Sequence, residues 1–340
     1  MGECLLARGA GGSGASKDPL DDIPITAGYC TILVTLKDSA GGLCPNTKIN
    51  CKDGTRWYNY TTNEAGMALF KCNSGSANFY CNNWIDGKHY FDQGAVTINQ
   101  DAIVGTKMAK EILLNKISFF NAWYTTTATG YFRTITEIKN VIVVGGGGSG
   151  GSGDMGNNGT DSYYASGGGG GGGAKNYAAS IQVVKNQSYS IIVGAGGRAS
   201  YLGNAGGTSS AFGLSANGGT QAVGWQAGKG GFGKYNGGNG GNGGWYISFT
   251  AQKNTKPVNG VNGAGGGGGY GAVVNVGTGI GSCAGANNGG GNGQPYDGYN
   301  IDGVAGSGGG GGGGRYESLA SSWIIGNGGN GGSGRVTFNM

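Results

Sequence analysis

Few side chains in this sequence are placed to make or break bonds. The one histidine, His89, stands beside Tyr90 and Phe91, and a lone histidine among aromatics reads as a core or surface residue before it reads as a general base. The acids Asp154, Asp161, Asp297, Asp302 and Glu317 are scattered, so no spacing selects the facing carboxylates that a glycosidase uses. All but one of the 7 cysteines precede residue 82: Cys4, Cys30, Cys44, Cys51, Cys72 and Cys81. None forms C-x-x-C, and with a single histidine a zinc site lacks its ligands. The cysteines read either as reduced, buried thiols or as one or two disulfides formed in an oxidising medium, with Cys51 and Cys72 on neighbouring strands. Residues 141–150 contain G-x-G-x-x-G after a strand, but the following SGGSGDMGNNGTDSYY cannot start the helix that would hold a pyrophosphate. No glycine run continues as G-K-S or G-K-T, so a phosphate loop is absent. The expectation is a protein with no catalytic residues, no cofactor and no metal.

The chemistry that the sequence does offer is recognition. Trp225, Phe232, Tyr235, Trp245, Tyr246, Tyr296 and Tyr299 stand in polar segments between glycine runs, at 221–235, 245–261 and 294–301. Rigid rings mixed with Asn, Ser and Gln suit sugars, since rings stack on pyranose faces and amides bond hydroxyls. The same rings could instead wedge between structural runs. A net charge of +5 with only 11% charged residues is too thinly spread for nucleic acid, which selects a basic stripe. No apolar stretch approaches a membrane span, and the opening MGECLLARG lacks the pattern of a secretory leader. The Asn59-Tyr-Thr and Asn186-Gln-Ser acceptors therefore carry no expectation of glycosylation.

These segments need a mount, and the mount is unusual. Glycine numbers 83 of 340 residues, against a usual share of about 7%. The longest runs are Gly167 to Gly173 and Gly308 to Gly314, with a shorter one at Gly265 to Gly269. Such runs bury no side chain and lose the most entropy on folding. No G-X-Y repeat runs through them, which excludes collagen. Order is expected from glycine segments in the polyproline II conformation, packed side by side and bonded through their backbones. The strands VIVV, IQVV, YSIIVG and RVTF need partners, and pairing the first with the last would clamp the glycine region at both ends.

The fold class expected is all-β plus polyglycine II. Residues 1–27 read as a flexible or docking tail. Residues 28–117 read as a small β-sandwich of short strands separated by turn signals at Gly41, Asp53-Gly54 and Glu64-Ala-Gly66, with Ile32, Val34, Leu69 and Phe79 inward. KMAKEILLNKI fits a short helix or a strand, and the strand is preferred. Residues 118–340 form the glycine-rich domain with its loop tip.

The order of motifs in the first domain resembles the transthyretin-like or carboxypeptidase-regulatory-like sandwich, at Leu33 to Gly41, Thr61 to Ala68 and Gly75 to Tyr80. Such modules serve as spacers or binding modules. The combination of VIVVGGGGSGG, SIIVGAGG, GGNGGNGG and a terminal GGNGGSGRVTF resembles the glycine-rich domain of bacteriophage tail-fibre proteins and of prophage-encoded proteins of Firmicutes. It is similar in principle to the adhesin at the fibre tip of T-even phages, whose polyglycine helices carry host-binding loops. The resemblance implies a virion protein, made in the host cytoplasm and released by lysis. Its tail would dock on other virion or tail proteins, its loops would bind a host cell-surface glycan or protein, and a homotrimer is one expected assembly. The alternative is a purely structural fibre, capsid-decoration or self-assembling filament protein.

Overall fold

The computed structural model describes residues 18–117, 125–157, 162–200, 203–247, 250–252, 255–269, 271, 273–275, 278–280, 284–291, 302–318 and 323–340. Among them the chain is all-β, with one turn of 3-10 helix at Val261–Gly263 and no α-helix.

Alternating apolar residues build the first domain. Its strands are β1 (Cys30–Lys37), β2 (Lys48–Asp53), β3 (Arg56–Thr61), β4 (Met67–Cys72), β5 (Gly75–Cys81), β6 (Val96–Ala102) and β7 (Lys107–Leu113). They form one sheet in the order β7-β1-β4 and another in the order β3-β2-β5-β6. KMAKEIL is thus a strand, parallel to β1. The sheets share a core containing Ile32, Val34, Leu36, Ile49, Phe70 and Phe79, and the Phe70 and Phe79 rings meet across it at 5.0 Å. Leu69 corrects the expectation: it is only partly buried, because the period of two sends its neighbours Ala68 and Phe70 inward. The expected turns form. Gly54 (φ 59°) closes β2 onto β3, and Gly66 (φ 70°) enters β4, both in the left-handed region that glycine adopts freely. Asn63 Oδ1 accepts from the N–H groups of Ala65 and Met67, and Asp38 Oδ1 from those of Ala40 and Gly42, the local bonding that favours Asn and Asp in turns.

Cys51 and Cys72 face each other from opposite sheets with sulfurs 4.0 Å apart, rather than on neighbouring strands, and every described cysteine is a buried free thiol. Burial pushes the thiols of Cys44 and Cys81 up to about 12.

A second core joins this sandwich to the glycine-rich region. Strands β8 (Ala128–Tyr131), β9 (Glu137–Val144), β10 (Lys175–Gln182), β11 (Ser188–Ile191) and β12 (Arg335–Asn339) surround Phe91, Phe132, Phe338, Ile138 and Val141. As expected, the strand that leads into the glycine runs pairs with the strand that ends them, Val144 opposite Arg335 and Val143 opposite Val336. β10 lies on the other side of β9 and begins six residues before the expected IQVV, since Lys175 follows directly from the run that feeds it. Buried Asp92 fixes the chain between β8 and β9 by accepting from the backbone N–H groups of Arg133, Thr134 and Ile135 and from the Thr134 hydroxyl. Arg133 then reaches back to Asp38 (2.6 Å) and the Leu43 carbonyl (2.6 Å) of the sandwich. Burial alone would lower the guanidinium's pKa, but the Asp38 hydrogen bond and charge hold it above its ordinary value.

Beyond this base the glycine runs lie against one another. Along 145–151 the partners change at every residue and return at every third. Gly145, Gly148 and Gly151 donate to Ala174, Gly171 and Gly168; Gly146 and Ser149 to Gly207 and Asn204; Gly147 and Gly150 to Gly332 and Gly329. The run 167–174 repeats this toward three other neighbours. Gly167, Gly170 and Gly173 donate to Gly314, Gly311 and Gly308, Gly168 and Gly171 to Gly224 and Thr220, and Gly169 and Gly172 to Gly241 and Gly238. A buried polar backbone is therefore satisfied without a sheet. Buried Ser149 and Ala174 fit within these runs, but at many positions the spacing tolerates only glycine. A Cβ on Gly171 would stand 2.0 Å from the Lys229 carbonyl oxygen, and one on Gly310 2.0 Å from that of Gly170.

Gly171→Ala is accordingly expected to destabilise the glycine-rich region by about 3 kcal/mol or more, since backbone on the far side cannot retreat. Thermal unfolding checks this; a variant melting within a degree of the parent would contradict the packing.

Candidate binding surface

Each glycine run has two ends, and the residues spliced between runs divide between them. At the end away from β9 and β12, run 145–153 passes into the hairpin of strands Asp154–Asn157 and Ser162–Ala165. At the same end, strands Trp245–Ile247 and Thr250–Gln252 extend this hairpin into a four-stranded sheet, with Tyr164 in register with Tyr246. A second four-stranded sheet joins Val273–Asn275 and Thr278–Ile280 to Tyr316–Ser318 and Trp323–Ile325. Among the described residues, four hairpins therefore leave the lattice on one side.

Of the expected recognition residues, Trp225, Trp245 and Tyr246 come together at this far end. Trp225 sits in the Val223–Gln226 turn, half-buried, and its carbonyl accepts from Gly243 N–H at 2.7 Å, two residues before Trp245. Phe232 and Tyr235 do not join them, which corrects the expectation of a single tip. Tyr235 pairs with Lys175, where β10 begins, so it lies at the base end. Seven residues of extended chain, no more than ~25 Å, separate the two ends. The reason is the alternation of direction: the run after Trp225 travels back to the base before the chain turns at Phe232. There Phe232 is 73% exposed, and Tyr235 lies under the ammonium groups of Lys175 (5.7 Å) and Lys234 (5.9 Å). Burial, with Arg335 nearby, lowers the pKa of Lys175. Tyr296 and Tyr299 lie outside the described residues.

The asparagines between runs do a job that their composition did not announce. Asn236, Asn239 and Asn242 direct their Oδ1 atoms at the N–H groups of Gly233 (3.2 Å), Gly230 (2.8 Å) and Ala227 (2.8 Å). Residues 227–233 form an outer run whose N–H groups at Gly228 and Gly231 reach the buried run through Gly169 and Gly172, while that of Lys229 donates to the Thr220 hydroxyl. The amide oxygens thus replace the neighbour that an edge lacks. Asn330 and Ser333 act alike toward Ala199 and Gly306. The signal was present in the sequence as a local N-G-G triplet at 236–244 and N-G-G-N-G-G-S at 327–333, since a period of three puts each polar residue on one side. A groove of about 300 Å³ runs beside this ladder, rimmed by Lys229, Asn239, Asn242, Thr255 and Lys256.

His89 takes no part in such a surface. It is wedged between the rings of Trp84 and Phe91, each 5.4 Å away, and Asn83 donates to its Nε2 at 2.8 Å. Burial lowers its pKa below the ordinary 6.5.

The glycine-rich domain family matches residues 125–340, from just before β8 to the last residue of the sequence. The chain belongs to this family. Its glycine-rich domain so defined contains both the base strands and every run of the lattice. No curated protein matches the chain. Among the described residues no helix is long and apolar enough to cross a membrane.

Two outcomes are expected. Asn239→Ala leaves the Gly230 N–H without its acceptor and should cost about 1 kcal/mol, read as faster amide exchange at Gly230 with the buried run still protected. His89 is held neutral in the folded chain but protonates more readily when unfolded. Stability should therefore be full above pH 6.5 and fall as the pH drops toward the lowered folded value; His89→Gln should flatten melting temperature between pH 7 and 5.

Proposed function

We propose that the glycine runs are polyproline II-type helices packed as polyglycine II, and that the chain is a non-enzymatic component of a virion tail fibre or tail-like particle that presents its far-end hairpins to a glycan on a host cell surface. The three-residue return of hydrogen-bond partners supports the first part, because a helix with three residues per turn points every third N–H the same way. The observation that carries the second is directional. Both ends of the glycine-rich domain are tied into the base core through β9 and β12, while four hairpins project from the opposite side. The resemblance of VIVVGGGGSGG and GGNGGSGRVTF to tail-fibre domains supplies the particle. Trp225, Trp245 and Tyr246 are the residues assigned to the contact, with many weak copies summing by avidity.

One observation favours the purely structural alternative: the asparagine oxygens of the 236–242 ladder are spent on the lattice itself. Adsorption separates the two readings. Labelled protein, displayed multivalently, should bind a panel of Firmicute cells, and the Trp225→Ala, Trp245→Ala pair should reduce binding about tenfold or more. Phe232→Ala at the opposite end should leave it unchanged. Equal binding by all three proteins would reject the far end as the contact surface, and protein that only polymerises would favour the structural role.

A further inference from the structure

The outward face of sheet β3-β2-β5-β6 carries side chains that neither core uses. Alternation turns Tyr58 and Tyr60 toward the core and leaves Trp57, Asn59 and Thr61 outward. Register then sets Trp57 beside Lys52, Asn78 and Asn99 in one row across the sheet, and Asn59 beside Asn50 and Tyr80 in the next. The two rows meet at their rings. Trp57 leans across β2 to within 5.2 Å of Tyr80, the planes inclined by 37°, with the Lys52 ammonium 5.9 Å from the indole. Even so, Trp57 remains 55% exposed, although tryptophan is usually well buried.

The amides on this face contrast with those of the lattice. Where Asn236, Asn239 and Asn242 spend their oxygens on backbone, Asn50, Asn59, Asn78 and Asn99 make no side-chain hydrogen bond among the described residues. No outward position of the four strands holds Leu, Ile, Val or Met, so the face lacks the aliphatic centre of a protein–protein contact. Its one carboxylate is Asp101, in the corner pair with Ser76. Paired rings flanked by unspent amides match one ligand chemistry: apolar sugar faces to stack on, and hydroxyls that both donate and accept.

We propose that this face is a second carbohydrate-binding site, taking a neutral glycan laid across β2 with Trp57 and Tyr80 beneath its pyranose rings and the amides of Asn50 and Asn78 on its hydroxyls. The site is independent of the far-end hairpins and would give the particle a weak contact with polysaccharide.

Affinity electrophoresis of the full chain in native gels containing a mixed-linkage β-glucan, a galactomannan or a xylan tests it. The parent should be retarded by at least one of these, and Trp57→Ala or Tyr80→Ala should weaken retardation about tenfold or more. Phe232→Ala, an exposed change outside both surfaces, should be retarded like the parent, and Trp57→Ala should keep the cell adsorption that the Trp225→Ala, Trp245→Ala pair loses, so failure of one site can be told from failure of the other. If Trp57→Ala fails to fold, Asn50→Ala and Asn78→Ala, which change only outward amides, carry the same expectation. Unretarded parent protein in all three gels, retardation only by an added anionic polysaccharide, or folded outward-face variants that run like the parent would each overturn the proposal.

Discussion

Everything in the larger half of this protein depends on one steric condition: two peptide backbones lie so close that a single methyl group would stand about 2 Å from a carbonyl oxygen. At that distance a chain has no side chains with which to exclude water. It must instead satisfy its N–H and C=O groups through its neighbours on every side. Runs 145–151 and 167–174 do so by passing successive N–H groups to successive neighbours. The arrangement is stiff because each run is held from several directions at once, and it is unforgiving because no flexible side chain can yield.

Such a block cannot start or finish itself. Its first and last strands carry the apolar residues that the runs lack, and their pairing through Val143 and Val336 over Phe132 and Phe338 gives the lattice a hydrophobic floor. Phe91, from the segment between β5 and β6 of the sandwich, packs into that same floor, while Asp92 and Arg133 tie the two cores together through a buried carboxylate and a guanidinium. Edges are the second difficulty. Unpaired backbone at the rim of a sheet invites further association, and here the rim is closed by amide and hydroxyl oxygens spaced every third residue. Asparagine in this domain is thus first a structural residue. The surfaces proposed for recognition are accordingly the hairpins at the far end and a face where amides remain unspent.

Much of this was legible in the residues themselves. Alternation predicted the strands of the sandwich, and Asp53-Gly54 and Glu64-Ala-Gly66 predicted their turns, because these signals are local and φ preferences act on single residues. The glycine runs announced that ordinary core packing was impossible. Leu69 was misplaced because Ala68 and Phe70 flank it, and within an apolar run only the facing sheet decides which parity points inward. Cys51 and Cys72 were brought near each other in expectation, but their meeting across the core rather than along one sheet is a property of sheet stacking.

By itself the sequence determined the materials: which segments could be strands, which could hold no side-chain core, and that the region needed a clamp at its two ends. Tertiary structure alone decided which run lies against which, that Phe232 and Tyr235 end up far from Trp225 and Trp245, and which amides are consumed at an edge. The physical reason is degeneracy. Seven identical glycines carry no information about register or neighbour, so their placement is set from outside, by the strands that anchor each run and by the few oxygens that cap its open side.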